Sequence, residues 1–328
     1  MHEASKHLAV ITPVFNDWPS LCMLISKLES VAKTLPCKTS IIIINDGSTI
    51  DFNDSKIPQF SHFRKIVLVD LFCNVGHQRA IAVGVSLAVN DDTYSTVVVM
   101  DSDGEDSPED LPKLYASHEQ NPKSIVVAHR KKRSENFLFR TFYLIYKNLF
   151  VFLTGKTIDF GNFCILPTDL AKRIVYSPEC WNHLAASIVK SRIPLFKLPT
   201  TRGKRYDGRS SMSLISLILH GFSSLAVFSE TVLTRLLLVV GATASFSILL
   251  AIIAATIRFF TNLAIPGWTT NVALLSLLLL FQAGIVFVIL ISGNLSNRSI
   301  QPFIAAIDSR RFCRKETIIE PNKTHGKL

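Results

Sequence analysis

Val97 to Asp110 reads VVVMDSDGEDSPED. Apolar residues run straight into Asp101, Ser102 and Asp103, and Glu105 and Asp106 follow. An unbroken apolar run bounded by turn residues fits a strand buried on both faces of a parallel sheet. Carboxylates at the carboxyl end of such a strand stand where open α/β sheets bind their ligands. Asp101 and Asp103 are two apart, and a turn converges them with Glu105 close by. Hard oxygen donors of this kind suit Mg2+ or Mn2+. For an isolated D-x-D the commoner reading is a solvated acidic turn before a helix that starts near Pro108. The rest of the chain has to tip that balance.

Working outward, the pattern alternates between strand and helix. His7 to Phe15 reads as a first strand, and Asp17 caps a helix that carries Pro19 in its first turn and runs to about Leu35. Ser40 to Asn45 is a second buried strand, broken at Asp46-Gly47-Ser48. Lys65 to Leu71 is a third. Asn74 reads as the N-cap of a small-residue helix from Gly76 to Val89 that packs tightly on the sheet. After the acidic stretch come a helix from Leu111 to Glu119 and a strand from Ser124 to His129. This spacing predicts an α/β fold, a mostly parallel sheet with helices on both faces. No G-x-G-x-x-G or P-loop pattern is present, which argues against dinucleotide and P-loop sites. Asp46 either closes an Asx-type turn or accepts a hydrogen bond from a base N–H.

The second half changes character. Leu236 to Ile257 and Asn271 to Ile291 are uncharged runs of about 20 residues, each long enough to span a bilayer. Asn136 to Leu153 is aromatic and Leu-rich, with Asn136, Arg140, Tyr143 and Lys147 at helical spacing. It suits a helix lying in the membrane interface, or a buried one. Ser213 to Phe228 is a further apolar segment directly before the first span, with His220 as its one titratable residue. Strands are expected within Asp159 to Leu166 and Ile193 to Pro199. The domain plan is therefore an α/β unit over 1–210 with an interface helix near 135–153, a juxtamembrane helix over 211–230, two spans over 231–294 and a basic tail over 295–328.

The 328 residues carry a formal net charge of +10. Basic residues cluster at Arg130 to Arg133, Arg202 to Arg209 and Arg310 to Lys315, while Thr261 to Asn271 between the spans has no charge. That asymmetry places the large domain and the tail on the cytoplasmic side. Beside two spans, the charge suits anionic lipid or a phosphorylated substrate better than nucleic acid. No signal-peptide pattern opens the chain. The six cysteines include no C-x-x-C pair and read as reduced thiols.

TPVFND (Thr12 to Asp17), NDGS (Asn45 to Ser48), NVGHQRAIAVG (Asn74 to Gly84), MDSDGEDSPE (Met100 to Glu109) and AHR (Ala128 to Arg130) resemble, in order and spacing, the blocks of glycosyltransferase family 2. RYDG (Arg205 to Gly208), the two spans, PGW (Pro266 to Trp268) and the basic tail resemble its polyprenyl-phosphate branch. The resemblance implies an A-type glycosyltransferase fold. It also implies inverting transfer of a sugar from a UDP- or GDP-linked donor to undecaprenyl or dolichyl phosphate, at a bacterial inner membrane or its equivalent, by a chain that associates with copies of itself. Asp101, Asp103 and Glu105 would hold Mg2+ or Mn2+ on the donor diphosphate, and Glu105 stands where the family usually has Gln. Pro13, Asp46, Asp101 and Ser102 would contact the nucleotide. Asp103, Arg130 and Arg205 would serve the reaction, and Lys131, Lys204 and Arg209 the acceptor phosphate. A lipid phosphate is already ionised at neutral pH and needs no general base.

Two positions depart from that pattern. Asn162-Phe163-Cys164-Ile165 replaces the family's Asp-Phe-Arg-Leu, and Ser211 stands where a lysine is frequent. Lys132 and Arg133 are further cations that would compensate. The departures keep two other readings open. One is a membrane glycosyltransferase with a different lipid or glycan acceptor, using an acid such as Asp159 or Glu179 as base. The other is a sugar-nucleotide-binding scaffold without turnover.

Overall fold

The computed structural model describes residues 6–52, 56–130, 137–207, 214–262 and 265–321; the side chains of 130, 137–143, 214–217 and 297–299 lie outside the description. Its elements in order are β1 (His7–Val14), α1 (Trp18–Ala32), β2 (Lys38–Asn45), β3 (Phe63–Leu71), α2 (His77–Val89), β4 (Thr96–Val99), α3 (Leu111–Gln120), β5 (Ile125–Arg130) and α4 (Phe137–Thr154). There follow β6 (Cys164–Pro167), α5 (Thr168–Val175), α6 (Leu184–Lys190), β7 (Leu195–Thr200), α7 (Leu214–Ala226), α8 (Ser229–Phe260), α9 (Trp268–Ser299), α10 (Ala305–Asp308) and β8 (Cys313–Ile319).

The strands form one eight-stranded sheet in the order β7-β5-β6-β4-β1-β2-β3-β8. β1 pairs in parallel with β2 and β4, β2 with β3, and β5 with β7. β6 lies antiparallel to both β4 and β5, and β8 antiparallel to β3. Successive strand side chains point to opposite faces, so each apolar run feeds two cores. Ala9, Ile11, Ile42, Ile44, Val97 and Val99 join α2, α5 and α6 on one side. Leu8, Val10, Ile41, Ile43 and Val98 join α1 and α3 on the other. Order reverses at β1: β2 lies on one side of it and β4 on the other. A crevice at the carboxyl ends of the strands follows from that reversal.

The helix over Gly76 to Val89 is close-packed as its small residues suggest. A Cβ on Gly84 would stand 2.3 Å from Ile11 Cγ2 and 3.0 Å from Ile44 Cγ1. Asn74 is not the cap; Gly76 holds that position, and the Asn74 side-chain Nδ2 donates to the Asp46 carbonyl at 3.0 Å. Asp17 does cap α1, accepting from the Ser20 amide at 3.4 Å.

The chain divides into two compact units. The first contains 1–144, 156–227 and 303–328, and so the whole sheet. The second contains 145–155 and 228–302. In it α8 and α9 are each 32 residues long and form a hairpin almost wholly exposed, 6% and 11% buried over their most apolar windows. Apolar helices of that length without a covering core are candidate membrane spans, long enough to cross a bilayer. The carboxyl half of α4 belongs to the same unit: Arg235 of α8 donates to the carbonyls of Val151 and Phe152 and so satisfies that helix end. The segment expected as a basic tail returns to the first unit, where β8 covers the edge of β3 and the rings of Phe303 and Phe312 pack on Trp181.

Candidate active site

β2 ends in Asp46, which is 3% exposed. Its carboxylate accepts from the backbone amides of Val75 (2.7 Å) and Gly76 (3.0 Å) at the start of α2. Burial pushes its pKa up, against those two hydrogen bonds. Asp46 thus clamps the β2 turn to the entry of α2. Pro13, at the end of β1, is buried and sits in register with Ile44.

β4 ends at the acidic turn. The Asp101 amide donates to Asp106 Oδ2 at 3.0 Å, and Asp101 Oδ1 lies 3.1 Å from Nε2 of His77, the first residue of α2. Burial acts to lower the His77 pKa, but Asp101 outweighs it and the net direction is up. His77 also contacts Asn162 Nδ2 at 3.2 Å, and Gln78 bridges Asn162 Oδ1 (3.0 Å) to the Leu184 amide (2.9 Å). Sequence reasoning did not single out His77, Gln78 or Asn162 as site residues. The signal available was a histidine opening the helix whose start the NVG turn sets. Ser102 is buried beside them.

Asp103 Oδ1 accepts from the Glu105 amide at 2.9 Å, and its Oδ2 pairs with Arg205 at 2.9 Å. Glu105 pairs with Arg202 at 2.5 Å. The backbones also join: the Gly203 amide donates to the Glu105 carbonyl, and the Tyr206 amide to the Asp103 carbonyl, each at 2.9 Å. Gly104, at φ +87°, lies under the Tyr206 ring, where a Cβ would come within 2.8 Å of it. The basic loop before α7 is therefore zipped along the acidic turn. Burial pushes Asp103 up, with Asp101 and Glu105 adding to it against Arg205. Asp101 and Glu105 thus lie near enough to Asp103 to repel it. Among the described residues no three metal-binding side chains already converge on one point.

Of the other sequence candidates, Arg130 is placed by its backbone at the end of β5, and Lys204 is exposed. Lys131, Arg209, Lys132, Arg133 and Ser211 lie outside the described residues. Cys164 sits on β6 in the sheet interior, 0% exposed, with its thiol pushed up by burial, so it cannot touch a substrate. Asp159 is paired with Lys197 at 2.8 Å and Glu179 with Lys190 at 2.6 Å. Burial acts to raise Glu179, but hydrogen bonds from Lys190 and Ser177 hold it below the usual range, which makes it a poor base.

The acidic turn stands at the switch point of a mixed α/β sheet and is faced by Arg202 and Arg205. Residues 9–172 match the model of the family Glycosyl transferase family 2, and the chain belongs to that family. Among curated relatives it is similar to undecaprenyl-phosphate 4-deoxy-4-formamido-L-arabinose transferase of Klebsiella pneumoniae, 26% identical over 65% of this chain. That match spans 64% of the relative's length. It is likewise 26% identical to the protein of the same description from Serratia proteamaculans, over 81% of this chain and 80% of that one. Among solved structures, glucosyl-3-phosphoglycerate synthase from Mycobacterium tuberculosis, in complex with Mn2+, UDP-glucose and phosphoglyceric acid, has a TM-score of 0.49. It is 16% identical, over 71% of this chain and 80% of that one.

Proposed function

We propose that this protein transfers one sugar from a nucleoside diphosphate sugar to a polyprenyl phosphate at the membrane, with inversion at the anomeric carbon. The observation that carries the reading is the acidic turn after β4, bound to Arg202 and Arg205, in a chain that also has two candidate membrane spans. The names of its relatives, which act on undecaprenyl phosphate, support the acceptor class.

Asp101, Asp103 and Glu105 would hold Mg2+ or Mn2+, which supplies charge neutralisation for the departing diphosphate. His77 fixes one oxygen of Asp101 and so orients the carboxylate. Asp46 holds the β2 turn against α2, shaping the nucleotide end of the crevice. Arg205 and Arg202 supply planar cationic forks suited to phosphate oxygens, with Arg130 at the neighbouring strand end. The acceptor phosphate is anionic without help, so the work left to the protein is positioning and charge stabilisation. The pairing of Asp159 and Glu179 with lysines is what such a base-free reaction expects. The catalytic unit and its tail are assigned to the cytoplasmic side by the charge asymmetry, and α4 and α7 to the membrane interface.

Purified protein incubated with nucleotide sugars, undecaprenyl phosphate and Mn2+ should give a lipid-linked monosaccharide. Asp103→Asn should lower turnover by about a hundred- to a thousandfold while leaving the fold intact by circular dichroism. Absence of a lipid product from every common donor, with wild-type protein that binds the nucleotide, would leave the scaffold reading in place.

A further inference from the structure

The contacts of the acidic turn assign its arginines a second task, which rests on the metal assignment just proposed. We propose that Arg202 and Arg205 are exchangeable counter-cations. They hold Glu105 and Asp103 until a divalent ion takes those carboxylates, and then pass to the phosphate oxygens that arrive with the donor.

Both oxygens of Asp103 are engaged. Oδ1 takes the Glu105 amide, a bond within the turn itself, and Oδ2 takes the Arg205 guanidinium at 2.9 Å. An ion held by both oxygens of Asp103, or by Oδ2 alone, therefore meets the Arg205 guanidinium at Oδ2. A divalent ion on Oδ2 would share that oxygen with the guanidinium, and repulsion between the two cations would loosen the arginine's hold. Glu105 poses the same competition between Arg202 and an ion.

The strap is built so that head groups can leave while its root stays. Gly203 and Tyr206 are bound through their backbone amides to the carbonyls of Glu105 and Asp103, which an ion on the side chains does not need. The Tyr206 ring rests on Gly104, with Lys27 Nζ 4.5 Å above that ring. Close approach of the two loops requires glycine at 203, since a Cβ there would stand 2.2 Å from the Gly104 carbonyl oxygen. Both arginine side chains are part exposed, 40% for Arg202 and 25% for Arg205, so they have room to swing. A guanidinium fork fits carboxylate and phosphate alike, so its release from the acids is favoured when diphosphate oxygens are at hand. Metal loading and phosphate capture become one exchange. Arginine engagement then reports that the ion is seated.

The test sets two effects of opposite sign. In full-length protein in detergent, Mn2+ affinity is read from the paramagnetic resonance of free Mn2+, with no nucleotide or lipid present. Arg205→Gln and Arg202→Gln should each bind Mn2+ roughly three- to tenfold tighter than wild type, because a competing cation has gone. Lys204→Gln removes an exposed charge from the same loop and should change the affinity less than about twofold, since solvent screens it. At saturating Mn2+, UDP or GDP, whichever the wild type binds, should bind more weakly to Arg205→Gln. Equal or weaker Mn2+ binding in both arginine variants, each folded by circular dichroism, overturns the exchange and leaves the metal assignment standing. Tightening as large in Lys204→Gln overturns it too, because general charge then suffices. Failure of wild type and every variant to bind Mn2+ removes the metal assignment and the exchange together.

Discussion

Ile41 to Ile44 on β2 and Leu277 to Leu280 on α9 are both unbroken aliphatic runs of four. The isoleucines are 0 to 4% exposed, closed between two helical layers, whereas Leu277 and Leu278 are 52% and 55% exposed. Composition does not separate them; length and neighbours do. An apolar run of four bounded by a turn can be covered by a domain's own helices. One of more than 20 cannot, and needs lipid as its solvent. Leucine at a given exposure therefore has one meaning in the sheet unit and another in the hairpin.

That contrast is sharpest for equal exposure. Leu278 on α9 and Ile318 on β8 are each 55% exposed. Leu278→Arg should cost roughly 2.5–3.5 kcal/mol of membrane insertion and strip the protein from the membrane fraction. Ile318→Arg should shift unfolding by less than about 0.5 kcal/mol. If both substitutions are silent, the hairpin does not sit in lipid.

Glycine draws the same line. Gly84→Ala on α2 drives a methyl into Ile11 and should destabilise the sheet unit by about 1–3 kcal/mol in chemical unfolding. Gly241 on α8 has nothing within 4 Å of an added Cβ, so Gly241→Ala should be neutral or stabilising, by up to about 1 kcal/mol.

Acid should find only one of the units. Burial holds His183 near 3, with His220 adding to the depression, and holds His7 near 4, with Arg64 adding. Both lie below the ~6.5 of an unfolded histidine, so the unfolded chain takes up protons first. Stability is complete above that value and is lost as pH falls beneath it. At pH 5.5 each histidine should cost about 1.4 kcal/mol, visible as a lower unfolding midpoint of the sheet unit. The segment 228–302 contains no histidine and its transition should not move with theirs.

The smallest expected effect lies inside the hairpin. The Ser247 hydroxyl donates to the Ser276 carbonyl between α8 and α9. Ser247→Ala should cost only about 0.6 kcal/mol, since a hydrogen bond between helices in lipid is a weak tie. A loss of several kcal/mol would mean that polar bonding, not lipid, holds this unit together.

What the sequence by itself determined was local and periodic. The strands β1 to β5, the capped helix α1, the spans and the acidic turn were legible because each is written in neighbouring residues: an apolar run, a cap, a break. So was the family, since its blocks fall in order. What only the tertiary structure decided depends on residues far apart in the chain. β8 was hidden because CRKETII is short and charged, and it forms by pairing with β3 over 240 residues away. Cys164 stands where the family has arginine, and only its strand between β4 and β5 shows its side chain in the core. Arg205 read as a phosphate ligand from its motif, yet its partner is Asp103, and nothing in either segment names the other. The physical reason is the range of the forces. Backbone preference and hydrophobic period act over a few residues and can be read along the chain, whereas ion pairing and edge pairing act through space and are fixed only once the sheet brings their partners together.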